Sequence, residues 1–135
     1  MRTYRIAVIP GDGVGHEVVP EGVRVVEAAG ARFGATFIWT TFDWSCRRYA
    51  ATGRFMPDDG LEMLRAHDAI FLGAVGWPGV PDHVSLWGLL LPIRRQFEQY
   101  INLRPVRLLP GITSPLVGRG PGDIDCIIVR ENCEG

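Results

Sequence analysis

The sequence predicts an α/β fold, an open sheet flanked by helices, on three observations. Short apolar runs rich in β-branched residues alternate with stretches of helical spacing, the pattern of parallel strands joined by helices. A glycine-rich turn separates the first such run from the first helix. A later run, Ala69 to Val75, is apolar without alternation, as expected of a strand buried on both faces.

In chain order, Tyr4 to Ile9 is the first strand, stopped by Pro10-Gly11-Asp12-Gly13-Val14-Gly15. Val18, Val19, Gly22, Val25, Val26 and Ala29 then recur at helical spacing. Ala35 to Trp44 is dense in β-branched and aromatic residues and reads as the second strand. Pro57-Asp58-Asp59-Gly60 opens a helix to about Ala66, with Asp58 or Asp59 as its cap.

Beyond the Ala69 to Val75 strand, Asp82 and Ser85 are candidate caps of another helix. Within it Leu86, Leu90, Ile93 and Phe97 make an i, i+4, i+7, i+11 stripe expected to be core. Trp87, Leu91 and Arg94 form a second row on its flank. Pro92 removes a helical hydrogen bond and its ring clashes with the Gly88 carbonyl, so a kink or a restart at Pro92 is expected. Leu103-Arg104-Pro105 precedes a loop rich in Gly, Pro and Ser, Pro110 to Gly122. Ile124 to Val129 is then the last strand and delivers Arg130-Glu131-Asn132. Nothing closes the fold after it, so residues 1–135 are expected to be a partial domain whose C-terminal remainder is absent.

Composition excludes several classes of function. With 47% hydrophobic and 21% charged residues the chain is of globular rather than disordered type. A net charge of -1 gives no field to draw it onto nucleic acid or an anionic bilayer, and neither partner is expected. The N-terminus lacks an apolar signal core, and Ala69 to Val80 is too short and glycine-rich to span a bilayer. Cys46, Cys126 and Cys133 are odd in number and form no C-x-x-C pair, which suggests neither a zinc site nor a disulfide framework and fits a reducing cytoplasm.

Gly11, Gly13 and Gly15 give G-x-G-x-G rather than G-x-G-x-x-G, and Asp43 comes later than the ~20 residues usual for a ribose-binding acid. A structural tight turn is therefore expected instead of a pyrophosphate site. His16, His67 and His83 lack the spacing of metal ligands, and Cys133 has no identifiable base beside it.

All fourteen basic residues are Arg. That bias is the usual mark of genomic base composition, but it also supplies the planar fork that grips carboxylates in pairs of bonds. Three of these arginines stand where an element is expected to end: Arg94 late in the amphipathic helix, Arg104 before Pro105, and Arg130 at the end of the last strand. If they converge, they would bind a small di- or tricarboxylate; surface solvation is the alternative.

Four segments in order, Ile9-Pro10-Gly11-Asp12-Gly13-Val14-Gly15-His16-Glu17, Gly73-Ala74-Val75-Gly76, Asn102-Leu103-Arg104-Pro105 and Val129-Arg130-Glu131-Asn132-Cys133-Glu134-Gly135, resemble the signatures of the isocitrate and isopropylmalate dehydrogenases. Phe42-Asp43-Trp44 and the run Val80 to Gly88 are most similar to the branch acting on tartrate or D-malate. The resemblance implies the N-terminal part of an isopropylmalate-dehydrogenase-like fold. It also implies an oxidoreductase that is cytoplasmic and a homodimer when complete. Its expected reaction is oxidation and decarboxylation of a small 2-hydroxy acid with NAD and Mg²⁺ or Mn²⁺.

By the same resemblance Arg94, Arg104 and Arg130 hold the substrate carboxylates, while Trp87, Leu90 and Leu91 contact its variable part. Gly73, Ala74, Val75 and Gly76 lie beside the nicotinamide. Trp87 stands where isopropylmalate enzymes carry an acid, which favours tartrate or D-malate, with 3-isopropylmalate as the alternative substrate. The family's lysine base, metal-binding aspartates and following tyrosine are missing from these residues, so neither a catalytic nor a metal residue is expected within 1–135 and the segment alone is expected to be inactive. A truncated remnant that binds small carboxylates or pairs with an intact paralogue is the competing expectation. Pro92 and Cys133, the latter where isocitrate-type motifs have Thr, depart from the family pattern.

Overall fold

The computed structural model describes residues 2–133, so Glu134 and Gly135 of the last signature lie outside the described residues. The chain divides into two compact units, Met1–Ile93 and Arg94–Gly135.

In the first unit, β1 (Arg2–Gly11) pairs in parallel with both β2 (Ala35–Thr41) and β3 (Ala69–Ala74), giving the order β2-β1-β3. Being central, β1 supplies the core: Ile6, Ala7, Val8 and Ile9 are all buried. The expectation that Ala69 to Val75 is buried on both faces is corrected. Among the described residues β3 is an edge, its Ala69 is exposed, and the rest is half-buried, because only β1 pairs with it. Continuous apolar character identifies a strand, but the number of neighbours decides how deeply it is buried.

Helix α1 (Gly15–Phe33) packs on this sheet and ends on Gly34 in the left-handed conformation. Side-chain-free positions bring it close: a Cβ at Gly22 would strike the Phe71 ring, and one at Gly30 the Phe37 ring. Val19 and Gly30 are buried, whereas Val18 and Val25 are exposed, so the buried stripe is narrower than the apolar spacing suggests.

The second strand ends earlier than Trp44. The Phe42 amide donates to the Val8 carbonyl at 2.8 Å, after which the chain leaves the sheet and Phe42 and Trp44 pack on each other with centroids 4.6 Å apart. A helix with no counterpart in the sequence reading follows: α2 (Cys46–Thr52), capped by Ser45, whose hydroxyl accepts from the Arg48 amide at 3.0 Å. Its sequence signal is Ser45 before and Gly53 after a seven-residue stretch, a cap pair that is easily passed over at this length. Helix α3 (Gly60–Arg65) begins after Asp59 as expected, but neither aspartate caps it through its side chain; Asp58 pairs instead with Arg54 at 2.7 Å.

Around Pro92 the sequence expectation of a kink or restart is met by a change of helix type. Helix α4 (Asp82–Ser85) passes into a π-turn (Leu86–Leu90), and α5 (Leu91–Gln96) continues from it. The Leu91 amide bonds to the Leu86 carbonyl, five residues back. Pro92 cannot donate, and a π-turn moves the carbonyls its ring would strike in a regular helix.

The extra residue in this turn re-phases the faces. Ser85, Leu89 and Ile93 are buried, so Ile93 is core as expected, whereas Leu90 and Phe97 are half-buried and Leu86 is exposed, which corrects the rest of the expected core stripe. Gly88 keeps room for Phe55, whose ring a Cβ there would strike. Leu89 is 0% exposed, so Leu89→Ala is expected to cost about 2–5 kcal/mol of stability, read as a lower urea midpoint with an unchanged slope.

In the second unit β4 (Ile101–Arg107) and β5 (Asp125–Glu131) form an antiparallel ribbon joined through the Gly- and Pro-rich loop. Arg104 therefore lies mid-strand and not at the end of an element, which corrects its expected placement. Pro105 sits beside it in β4, a strand with a partner on one side only among the described residues, where a missing N–H is tolerated.

Candidate functional site

The glycine turn after β1 is built around one carboxylate. Asp12 is 3% exposed, and its oxygens accept from three backbone amides: Cys46 at 2.9 Å, Arg47 at 3.0 Å and Gly76 at 3.2 Å. Its own amide donates to the Ala74 carbonyl at 2.6 Å. Gly11 makes this approach feasible: its φ is +77° and a Cβ would collide with that same carbonyl. The turn thus fastens the start of α2 and the Gly73 to Gly76 loop to the end of β1.

Burial pushes the Asp12 carboxyl up, but the Cys46, Arg47 and Gly76 amides and the Cys46 thiol outweigh it and leave its pKa below the ordinary carboxylate value. The Cys46 thiol, fully buried, is driven up to about 11 by burial first, then by hydrogen bonding to Asp12 and by the Asp12 charge, with Ser85 acting the other way. It therefore stays a thiol at neutral pH and is no nucleophile.

A depressed carboxylate contributes stability above its unfolded-state pKa and loses it as pH falls through the lower folded value. Asp12→Asn is accordingly expected to have a lower urea midpoint than the parent at neutral pH. The difference should shrink as pH drops below about 4, the unfolded carboxylate range.

Asp12 is the residue that the sequence reading missed as an individual. It was present only as a letter in the glycine turn, and the partners that give it a role are 34 to 64 positions away.

Of the loop residues, Gly73 packs so closely that a Cβ would meet the Pro10 carbonyl, while Gly76 is exposed and has open space where a Cβ would stand. Ala74 and Val75 are half-buried. In the same unit Trp87 is 59% exposed within the π-turn, and Leu90 and Leu91 are half-buried. Trp87 thus stands clear of the buried face occupied by Leu89.

In the second unit the ribbon register brings two of the three arginines onto one face. Asn102 lies opposite Arg130 and Arg104 opposite Ile128, so Asn102, Arg104, Ile128 and Arg130 share a face, with Arg104 and Arg130 as diagonal neighbours. The Arg104 Nε donates to the Asn102 Oδ1 at 2.7 Å, which directs its fork. The opposite face carries Ile101, Leu103, Ile127 and Val129, all exposed.

Arg94, in α5, is half-buried, and its carbonyl accepts from the Gln99 amide at 2.8 Å and from the Cys133 thiol at 3.8 Å. Its backbone is therefore tied to the segment that follows Arg130. Cys133 is engaged as a donor in this contact. His67 bonds the Met63 carbonyl through Nδ1 at 3.1 Å, and His16 and His83 are exposed.

Among the described residues no three His, Cys, Asp or Glu side chains are grouped to hold a metal ion, so these residues do not fit a metal site. Cys46, Cys126 and Cys133 are free thiols, and no described helix is long and apolar enough to cross a membrane.

Residues 5–135 match the family model for isocitrate/isopropylmalate dehydrogenase. The chain is 58% identical to D-malate dehydrogenase [decarboxylating] of Escherichia coli (strain K12), an alignment covering 100% of this chain and 38% of that protein. It is 56% identical to the tartrate dehydrogenase/decarboxylase of Pseudomonas putida, over 98% of this chain and 37% of the relative. It is 54% identical to a 3-isopropylmalate dehydrogenase of Thermobifida fusca (strain YX), over 99% and 38%. Among solved structures, a β-decarboxylating dehydrogenase of Thermococcus kodakarensis in its apo form superposes with a TM-score of 0.66 at 33% identity, covering 98% of this chain and 35% of that one. The chain spans less than two-fifths of the length of the curated relatives named here.

Proposed function

Because the chain belongs to the isocitrate/isopropylmalate dehydrogenase family, we propose that it forms the N-terminal part of an NAD-dependent oxidoreductase. In this reading the enzyme oxidises and decarboxylates a small 2-hydroxy acid, tartrate or D-malate. The observation that carries it is the 56–58% identity, across essentially the whole chain, to enzymes named for those two substrates. The 54% identity to a 3-isopropylmalate dehydrogenase keeps that substrate as the second reading.

For D-malate the chemistry is a two-electron oxidation at C2. NAD would supply the acceptor for the C2 hydride, and with the hydroxyl proton passing to a base the product is a 2-keto acid. The C3–carboxylate bond then breaks, CO₂ departs, and the electron pair left behind forms an enolate that is protonated to pyruvate. A divalent metal, Mg²⁺ or Mn²⁺, would supply stabilisation of the developing oxyanion.

The residues of this chain contribute binding and orientation. Arg94, Arg104 and Arg130 pair with the substrate carboxylates and set the direction of the C2–H bond. Trp87, Leu90 and Leu91 meet the substituent on C3. Gly73, Ala74, Val75 and Gly76 would lie beside the nicotinamide; in support, a Cβ built at Gly76 would have open space around it. The chain holds no lysine, so an amine base is not among residues 1–135. The proposed setting is a reducing cytoplasm and a homodimer.

The test is NADH formation by the full-length protein with NAD⁺ and Mn²⁺, assayed with D-malate, tartrate and 3-isopropylmalate in parallel. Turnover of D-malate or tartrate above 3-isopropylmalate is expected, together with release of CO₂. Turnover of 3-isopropylmalate alone would move the assignment to the second reading, and no turnover of any of the three would leave the non-catalytic alternative. Residues 1–135 expressed alone are expected to form no NADH.

A further inference from the structure

The Gly73 to Gly76 loop is gripped at two points by a single residue. The Asp12 amide donates to the Ala74 carbonyl at 2.6 Å, and the Asp12 carboxylate accepts from the Gly76 amide at 3.2 Å. The same carboxylate accepts from the Cys46 and Arg47 amides at 2.9 and 3.0 Å, which fixes it against the first turn of α2. Among the described residues Asp12 forms no ion pair, so backbone N–H groups are what hold this buried charge. A carboxylate so held has little freedom, and neither does whatever is bonded to it.

We propose that Asp12 is a positioning residue for the cofactor: through the Gly76 amide it holds the Gly73 to Gly76 loop in the one geometry that receives the nicotinamide. The inference rests on the proposed role of that loop, and it adds to it a residue that touches neither substrate nor cofactor.

Two oxygens with different duties make the idea testable. Oδ2 serves Cys46 and Gly76 while Oδ1 serves Arg47. Asp12→Ala removes every acceptor but leaves the Asp12-to-Ala74 backbone bond available. Asp12→Asn can keep an oxygen on Cys46 and Gly76 and places its NH₂ against the Arg47 amide. In the full-length protein without ligand, Asp12→Ala is expected to speed amide exchange at Cys46, Arg47 and Gly76 by at least about tenfold. Asp12→Asn should speed it at Arg47 while Gly76 stays protected.

Titrated with NAD⁺, Asp12→Ala should raise Kd by about tenfold or more, with Asp12→Asn within about threefold of the parent and D-malate affinity unchanged in both. If Asp12→Ala does not fold, the contrast between Arg47 and Gly76 in Asp12→Asn still decides. Unaltered exchange at all three amides overturns the clamp. Faster exchange with an unchanged Kd for NAD⁺, or a wild type that does not bind NAD⁺, leaves the clamp standing and overturns the role of the loop. Equal losses for NAD⁺ and D-malate would reduce Asp12 to a general structural residue and overturn the proposal.

Discussion

Arg104→Ala in the full-length protein is expected to lower kcat/KM for D-malate by about 10- to 150-fold with little change in stability. The fork of Arg104 is exposed on the ribbon face, so its removal leaves no cavity. It is nevertheless directed, because Asn102 accepts from its Nε, and Arg130 is its diagonal neighbour across the register. A charge-assisted bond between this fork and a substrate carboxylate is worth about 1.5–3 kcal/mol, which is the origin of the expected factor.

Arg104→Lys retains the charge but loses the planar pair of donors, and an intermediate loss is expected from it. Steady-state kinetics beside a urea curve for each variant separate the two effects. A drop of less than about threefold in kcat/KM for a fully folded Arg104→Ala would remove Arg104 from the carboxylate site.

Trp87→Ala is expected to shift relative specificity toward 3-isopropylmalate by about tenfold or more. A tryptophan that packed in the core would make this substitution a stability defect. At 59% exposed, in a turn whose buried position is Leu89, the indole is not a core group. Its bulk would then narrow the space beside the substrate's C3 and leave little room for a branched alkyl group. The readout is the ratio of kcat/KM for 3-isopropylmalate to that for D-malate, in parent and variant, with folding checked by circular dichroism. A parent that already prefers 3-isopropylmalate, or a folded variant with an unchanged ratio, would end the steric account.

Much of the architecture was legible along the chain because it depends on local properties. β-Branched runs, helical spacing and the glycine turn located three strands and, between them, α1 and α3 though not α2, and the alternation implied parallel pairing, as found. Pro92 announced a disturbance because its missing N–H is a covalent fact. The order of the signature segments identified the family for the same reason, since identity of residues in sequence needs no coordinates.

Other features were set by groups far apart in the chain. β1 became the buried strand because both neighbours pair with it, and no property of Ala69 to Val75 could disclose that, among the described residues, this segment lies at the edge. The buried phase Ser85, Leu89, Ile93 depends on where the π-turn inserts its extra residue, a choice made with Phe55 packed on Gly88. Arg104 and Arg130 share a face only through a register between strands that are distant in sequence. Asp12 has a role only because amides 34 and 64 positions away donate to it. Propensity, covalent restraint and residue order act within a few positions, so the sequence alone determined the elements and the family. Burial, register and hydrogen bonding to a buried charge are relations between distant groups, so only the tertiary structure decided which strand is core, which helix face is buried, and which carboxylate holds the loop.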